Sequence, residues 1–246
     1  MFLLEKMTSN KFNRLFDKFP VLGMIHLAGI DPVGRALKES ELFEKEDVDG
    51  IIVENYCGST EDVRVTLREL SKLENKIIIG VNILPNEFES SFRLANEYGA
   101  KFIQLDYVAG HYTNGWLNPK VYNSIRKEFS DIVVLGGVWP KYYHPIPNSN
   151  LEEDLKEGME RADAIVVTGE STGKETPLDK IMRFREILGD YPLVVGAGVN
   201  RSNIEGQFRV SDGFIIGSYF KDGQVKNPIF QNRVREIMDA VRRLKK

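Results

Sequence analysis

The sequence predicts an α/β fold, a (β/α)8 TIM barrel with an extra N-terminal helix, on three observations. Eight short apolar runs recur along the 246 residues. Stretches with helical spacing separate them, at a repeat of about 20 to 32 residues, which is the βα rhythm of a parallel barrel. Each run closes on a small or polar residue, and the seventh and eighth both run into glycine.

In order, the runs are VLGMIH from Val21, GIIVEN from Gly50, IIIGVN from Ile77, FIQLDY from Phe102, IVVLGG from Ile132, AIVVTG from Ala164, LVVGAG from Leu193 and GFIIGS from Gly213. Residues 1–17 carry Phe2, Leu3, Leu4, Met7, Phe12 and Phe16. That pattern suits a helical extension packed on the bottom of the barrel or beside its last helix. The Pro/Ser/Asn-rich residues 144–150 have the length of a loop, with Ser149 or Asn150 placed to cap the helix that follows. Residues 229–244 space Ile229, Val234, Ile237, Met238, Val241 and Leu244 helically, and the cations at their end complement the helix dipole. No linker divides the chain, so residues 1–246 are expected to form one barrel domain.

Composition narrows the function classes. A net charge of −3 and a pI near 5.8 provide no basic field for nucleic acid or an anionic membrane. The apolar runs are of strand length, which predicts no membrane insertion. The first residues lack the apolar core and cleavage site of a secretory signal, so a cytoplasmic protein is expected. The single cysteine, Cys57, excludes an internal disulfide. It reads as a small loop residue rather than a nucleophile, because no adjacent base or cation lowers its pKa. A homo-oligomer is compatible with such a chain.

Parallel strands bring all their C-terminal ends to one rim. There the pattern gathers His26, Glu54, Asn55, Asn82, Asp106, Lys141, Thr168, Gly169, Gly198, Gly217 and Ser218. The sharpest signal follows strands seven and eight. Gly196, Gly198 and Asn200 lead into a helix whose first amides favour an anion, and Gly217 with Ser218 ends the next strand, a frequent phosphate position in barrels. The alternative is that crowded strand ends simply need small residues.

Residues 168–176, TGESTGKET, follow a strand but fail as a Walker A motif. Only three residues separate Gly169 from Gly173, and Glu175 stands where a hydroxyl belongs. The segment better suits a mobile lid, from which Ser171 and Lys174 reach a substrate together with Thr168 and Gly169. His26, Asn55 and Asn82 are the other expected substrate contacts.

Glu54, Asp106 and Lys141 are the expected catalytic groups. Glu54 closes a wholly apolar strand, and burial raises a carboxyl pKa toward the range of proton exchange at neutral pH. For Asp106, strand parity leaves open whether it or Gln104 and Tyr107 point inward. Lys141 suits a proton donor, a Schiff-base amine or a charge partner of Glu54, with a rim salt bridge as the bland alternative. His26, His111 and His144 all follow strands, yet none has metal-ligand spacing. No protein-held metal or certain cofactor is therefore expected, although Mg²⁺ can accompany a phosphorylated substrate.

Residues 23–27 (GMIHL), 49–55 (DGIIVEN), 80–86 (GVNILPN), 99–103 (GAKFI), 162–169 (ADAIVVTG), 172–173 (TG), 195–199 (VGAGV) and 212–218 (DGFIIGS) resemble the BtpA/SgcQ family, over about residues 21–228. The resemblance implies a phosphate-binding-type barrel of the ribulose-phosphate-binding kind and an enzyme of sugar- or nucleoside-phosphate metabolism. It also brings a different function, since the family is named for a protein required for photosystem I accumulation. The chain departs from the family pattern where relatives carry Arg and Asn, here Gln104 and Asp106, and where they carry an Asp and a Lys-His pair, here Gly137 and Lys141-Tyr142.

Two hypotheses follow. One is a lyase, isomerase or transferase acting on a phosphorylated small molecule by proton transfer at the rim. The other is a non-catalytic binding or assembly factor of the photosystem I biogenesis type.

Overall fold

The computed structural model describes residues 10–74 and 76–246. Eight parallel strands close into a barrel: β1 (Val21–Ile25), β2 (Gly50–Glu54), β3 (Ile78–Asn82), β4 (Phe102–Leu105), β7 (Val133–Gly137), β8 (Ala164–Val167), β9 (Leu193–Val195) and β10 (Gly213–Ile216). They pair in chain order, and β10 returns beside β1 with Leu22 opposite Ile215. The eight apolar runs are these eight strands. In the loop after β4, a short hairpin of β5 (His111–Tyr112) and β6 (Gly115–Trp116) has no counterpart in the sequence expectations. A bridge from Tyr112 to Pro145 ties it to the loop after β7.

The core divides by strand parity, because successive side chains leave opposite faces of a strand. Leu22, Met24, Ile52, Phe102, Leu135, Val166, Val194 and Ile215 fill the barrel interior. Their neighbours Ile25, Val53, Val81, Ile103, Val134, Ile165, Val195 and Ile216 face outward, into the layer shared with the helices. The short helix α1 (Lys11–Leu15) stoppers the N-terminal end. Phe12 and Phe16 join the interior cluster, with Phe16 edge-on to Phe102 at 5.4 Å, so this helix takes the bottom position rather than one beside the last helix. Phe2, Leu3, Leu4 and Met7 lie outside the described residues.

The outer ring comprises α2 (Pro32–Lys45), α3 (Thr60–Leu70), α4 (Phe88–Tyr98), α5 (Pro119–Glu128), α6 (Leu151–Arg161), α7 (Leu178–Leu188), α8 (Ile204–Phe208) and α9 (Gln231–Leu244). Caps set several of their starts. Ser59 and Asp62 form a capping box on α3, and Asn150, not Ser149, accepts the amides of Glu152 and Glu153 on α6. Among the described residues no helix is long and apolar enough to cross a membrane.

Candidate active site

A cavity of about 240 Å³ opens at the C-terminal rim, and Met24, Val166 and Ile215 form part of its apolar lining. Parity explains its polar lining. Continuing each inward-facing row by two residues leads from Met24 to His26, from Ile52 to Glu54, from Val166 to Thr168, from Val194 to Gly196 and from Ile215 to Gly217. The same row on β4 runs from Phe102 through Gln104 to Asp106. Both polar residues line the cavity, while Tyr107 turns away and donates its amide to Asn86. The strands that build the core thus deliver the site in the same register.

Glu54 is buried, 6% exposed, and lines the cavity. Its Oε1 lies 2.6 Å from the Asn82 amide nitrogen, and its Oε2 lies 3.8 Å from His26 Nε2. Burial pushes the Glu54 carboxyl up to about 7, against the pull of the Lys141 charge and with the Asp106 charge adding to it. Burial and then the Lys221 charge hold His26 well below the ordinary histidine range. Its Nδ1 faces the Val225 carbonyl at 3.4 Å, which leaves Nε2 turned toward Glu54. Asp106 accepts a hydrogen bond from the Tyr143 hydroxyl at 3.1 Å, and burial raises its pKa while Lys141 opposes the rise. Lys141 lines the cavity with its side chain and is anchored by its amide, which donates to Thr168 Oγ1 at 2.8 Å.

The loop after β8 lies across the mouth. At its tip the Thr172 amide donates to the Tyr142 hydroxyl at 2.9 Å, and the Tyr56 hydroxyl reaches Thr172 Oγ1 at 3.5 Å. At its root Thr176 is buried and donates from Oγ1 to the Ala197 carbonyl at 3.0 Å. Gly198, with φ at 67°, lets that root pass: a Cβ there would lie 2.2 Å from the Lys174 carbonyl oxygen. Thr168, Thr172 and Gly173 line the cavity. Gly169, Ser171 and Lys174 do not, with Gly169 packed against the Glu175 carbonyl and Lys174 exposed.

Other expected contacts have different partners. Asn55 exchanges two hydrogen bonds with the backbone of Leu84, accepting at 2.7 Å and donating at 3.2 Å, so its amide fixes the loop after β3 rather than facing a substrate. Asn200 is outside the cavity lining, since its Oδ1 accepts from the Ser202 and Asn203 amides and its Nδ2 donates to the Gly198 carbonyl. The helix expected to open there is only the five-residue α8, and the Asn200, Ser202 and Asn203 amides before it are taken up by this turn. Gly196, Gly198, Gly217 and Ser218 all border the cavity. Part of the glycine signal is nevertheless crowding, because a Cβ on Gly196 would meet Val166 at 2.5 Å and one on Gly217 would meet His26 at 3.0 Å.

Sequence reading passed over Tyr56, Asn114 and Tyr143, which also line the cavity, and Lys221, which is fully buried and donates to the Met24 carbonyl. Aromatic residues near strand ends are the available hint for the tyrosines, while nothing local marks Lys221. Gly137 explains one departure from the family pattern: a Cβ there would lie 1.8 Å from the Asp106 carbonyl oxygen, so no carboxylate fits at this position. Among the described residues no three His, Cys, Asp or Glu side chains converge as metal ligands. His111 stacks on Trp116 at 6.0 Å in the hairpin.

Fold and site define a (β/α)8 barrel with a cavity at its C-terminal rim that is lined by Glu54 and Asp106 and crossed by the loop after β8. The chain belongs to the BtpA family, whose model matches residues 17–243. It is 30% identical to an uncharacterised protein of Methanocaldococcus jannaschii, over 94% of this chain and 98% of that one. It is 26% identical to the photosystem I biogenesis protein BtpA of Synechocystis, over 92% and 91% respectively. Among solved structures, phosphoribosyl anthranilate isomerase from Thermus thermophilus superimposes with a TM-score of 0.64 at 13% identity, covering 92% of this chain and 100% of that chain, a likeness of fold.

Proposed function

We propose that this protein is an enzyme acting on a phosphorylated small molecule, a sugar or nucleoside phosphate, by proton transfer at the C-terminal rim. The observation that carries the reading is Glu54, a buried carboxyl poised near neutrality in the cavity lining beside Asp106, Lys141 and a neutral His26. Structural carboxylates are commonly exposed or fully paired, whereas one held near its working pH inside a cavity suits acid–base catalysis. The substrate's phosphate would sit at the β9–β10 side, against Gly198, Gly217 and Ser218, with its organic portion reaching Glu54 and Asp106. Loop 168–177, closed by Tyr56 and Tyr142, would exclude water. Lys141 would balance charge developing between the two carboxyls. The fold of the isomerase neighbour is consistent with such chemistry. The name of the Synechocystis relative, a photosystem I biogenesis protein, favours the other reading, a binding or assembly factor, which gives the buried acid no task.

A thermal-shift screen of inorganic phosphate, pentose and hexose phosphates and nucleoside monophosphates tests the reading. A hundredfold excess over Kd stabilises by about 2.7 kcal/mol, enough to resolve. For the turnover partner so found, Glu54→Gln is expected to lower kcat by roughly a hundredfold to ten-thousandfold while leaving the shift by inorganic phosphate intact. Full turnover in a destabilised Glu54→Gln protein would reject the catalytic assignment.

A further inference from the structure

Lys180 sits in the first turn of α7, where a positive charge opposes the helix dipole and where no side chain caps the helix start. It is nevertheless half-buried, and its Nζ donates to the Thr168 carbonyl at 2.7 Å and to the Trp139 carbonyl at 3.1 Å, 5.8 Å from the centre of the Phe184 ring. Burial lowers its pKa, with the Glu170 charge opposing. A desolvated cation in an unfavourable helix position needs compensation, and the two carbonyls supply it.

Those carbonyls belong to the ends of neighbouring strands. The β7–β8 ladder closes at the pair Gly137 and Val166, and Trp139 and Thr168 each stand two residues further on. Lys180 therefore bridges the two chains just past the point where their ladder stops. Trp139 is fixed on its other sides as well, its amide donating to the Tyr112 hydroxyl at 3.0 Å and its indole Nε1 to Asp154 at 2.7 Å. Its φ of 47° is a conformation that a bulky residue seldom adopts, so its surroundings must hold it there. Two residues later the Lys141 amide donates to Thr168 Oγ1 at 2.8 Å. Thr168 thus meets Lys180 through its carbonyl and Lys141 through its hydroxyl.

We propose that Lys180 is a positioning residue for Lys141: by joining the ends of β7 and β8 it holds the turn at Trp139 and seats Lys141 in the cavity lining, where its charge acts on Glu54 and Asp106. The proposal rests on the charge-balancing part given to Lys141 above. Glu54 is faced by Lys141, Asp106, Asn82 and Lys221, with a neutral His26 3.8 Å away, and Asp106 by Lys141, Tyr143 and Asn82. Lys141 is the strongest charge on both, so a change in its seat moves both acids together. Lys180 itself donates to strand-end carbonyls and not to a carboxylate.

The test needs no substrate, so it can fail independently of the enzymatic reading. Side-chain carboxyl ¹³C NMR of the full-length protein follows the Glu54 and Asp106 titrations, assigned with Glu54→Gln and Asp106→Asn. Lys141→Met is expected to raise both midpoints, because the charge that favours ionisation is gone. Lys180→Met is expected to raise both by less, and the double variant to match Lys141→Met, since Lys180 acts through Lys141. A general loosening of the barrel would instead admit water and lower both midpoints. Midpoints that fall or stay in place in Lys180→Met, or a double variant that exceeds Lys141→Met, overturn the proposal. Unmoved midpoints in Lys141→Met would remove the charge-balancing part and this proposal together, leaving the enzymatic reading to its own ligand screen. Should Lys180→Met fail to fold, Thr168→Val, which cuts the Lys141 amide from the same clamp, is read by the same criteria.

Discussion

His26 Nε2 lies 3.8 Å from Glu54 Oε2 in the cavity lining, and burial moves the two groups' pKa values in opposite directions. Each is thereby held toward its uncharged form. The opposition gives the pair a signature in stability.

The folded pKa of His26 is depressed, so below about 6.5 the unfolded chain binds more protons and stability rises with pH. The folded pKa of Glu54 is raised from 4.5 to about 7, so between those values the native state binds more protons and stability falls as pH rises. In the wild type the two slopes oppose each other. Glu54→Gln is expected to leave a melting temperature that climbs between about pH 5 and 6.5, and His26→Asn one that declines toward pH 7. Calorimetric melts across this range check it, and variants whose profiles stay parallel to the wild type would show that neither group is shifted.

The loop after β8, the proposed lid, is held at its tip by one well-formed hydrogen bond, from the Thr172 amide to the Tyr142 hydroxyl. Tyr142→Phe removes the acceptor and keeps the ring. With a net hydrogen bond worth about 1 kcal/mol, residues 169–174 are expected to exchange their amide hydrogens roughly fivefold faster, while Thr176, anchored to Ala197, stays protected. Mass-spectrometric hydrogen exchange resolves the two segments. Uniform exchange along the loop in both proteins would remove the latch.

Strand existence was legible because eight apolar runs at βα spacing leave few alternatives, and the inward row of each strand then leads to His26, Glu54, Asp106 and Thr168. On β4 the expected choice between Asp106 and the pair Gln104 with Tyr107 was misdrawn, because Gln104 and Asp106 stand two residues apart and share a face, and both line the cavity while Tyr107 turns away. What sequence could not reveal was which polar groups are already occupied. Asn55 and Asn200 look available, yet each is consumed by backbone close by in space, Leu84 for one and the turn at 198–203 for the other. Tyr56, Thr172 and Tyr142 meet only when loops from three strands converge, and the two-residue strands of the hairpin depend on a bridge to Pro145. Such long-range partners carry no local pattern.

Gly198 separates conformational need from ligand contact. Its φ of 67° and the Lys174 carbonyl 2.2 Å from a built Cβ mean that Gly198→Ala pushes the lid root outward even in the absence of any anion. Destabilisation of about 1–3 kcal/mol is expected. Ser218→Ala, at a half-buried position bordering the cavity, is expected to change stability by less than about 0.5 kcal/mol. Denaturant unfolding in phosphate-free buffer checks both. Equal stability of the two variants would mean that the β9 end and the lid root are not packed together.

Lys221 gives the last test, of a buried cation with no place on the cavity wall. It is 0% exposed, donates to the Met24 carbonyl, and burial lowers its pKa from 10.5 to about 8, with Glu39 the strongest opposing charge. Between those two values the unfolded chain binds its proton more tightly than the native state, so wild-type stability rises with pH across the window. At neutral pH the charged ammonium carries a burial penalty on the order of 3 kcal/mol, close to what a hydrogen bond from a charged donor returns, about 1.5–3 kcal/mol. Lys221→Met keeps the aliphatic stem and removes both contributions. The variant is therefore expected to match the wild type within about 1–2 kcal/mol near neutrality and to fall behind it steadily toward about pH 10, where the neutral amine keeps its bond without the penalty. Urea unfolding at a series of pH values measures the gap, and a gap that stays constant from neutrality upward would show that Lys221 titrates like an exposed lysine.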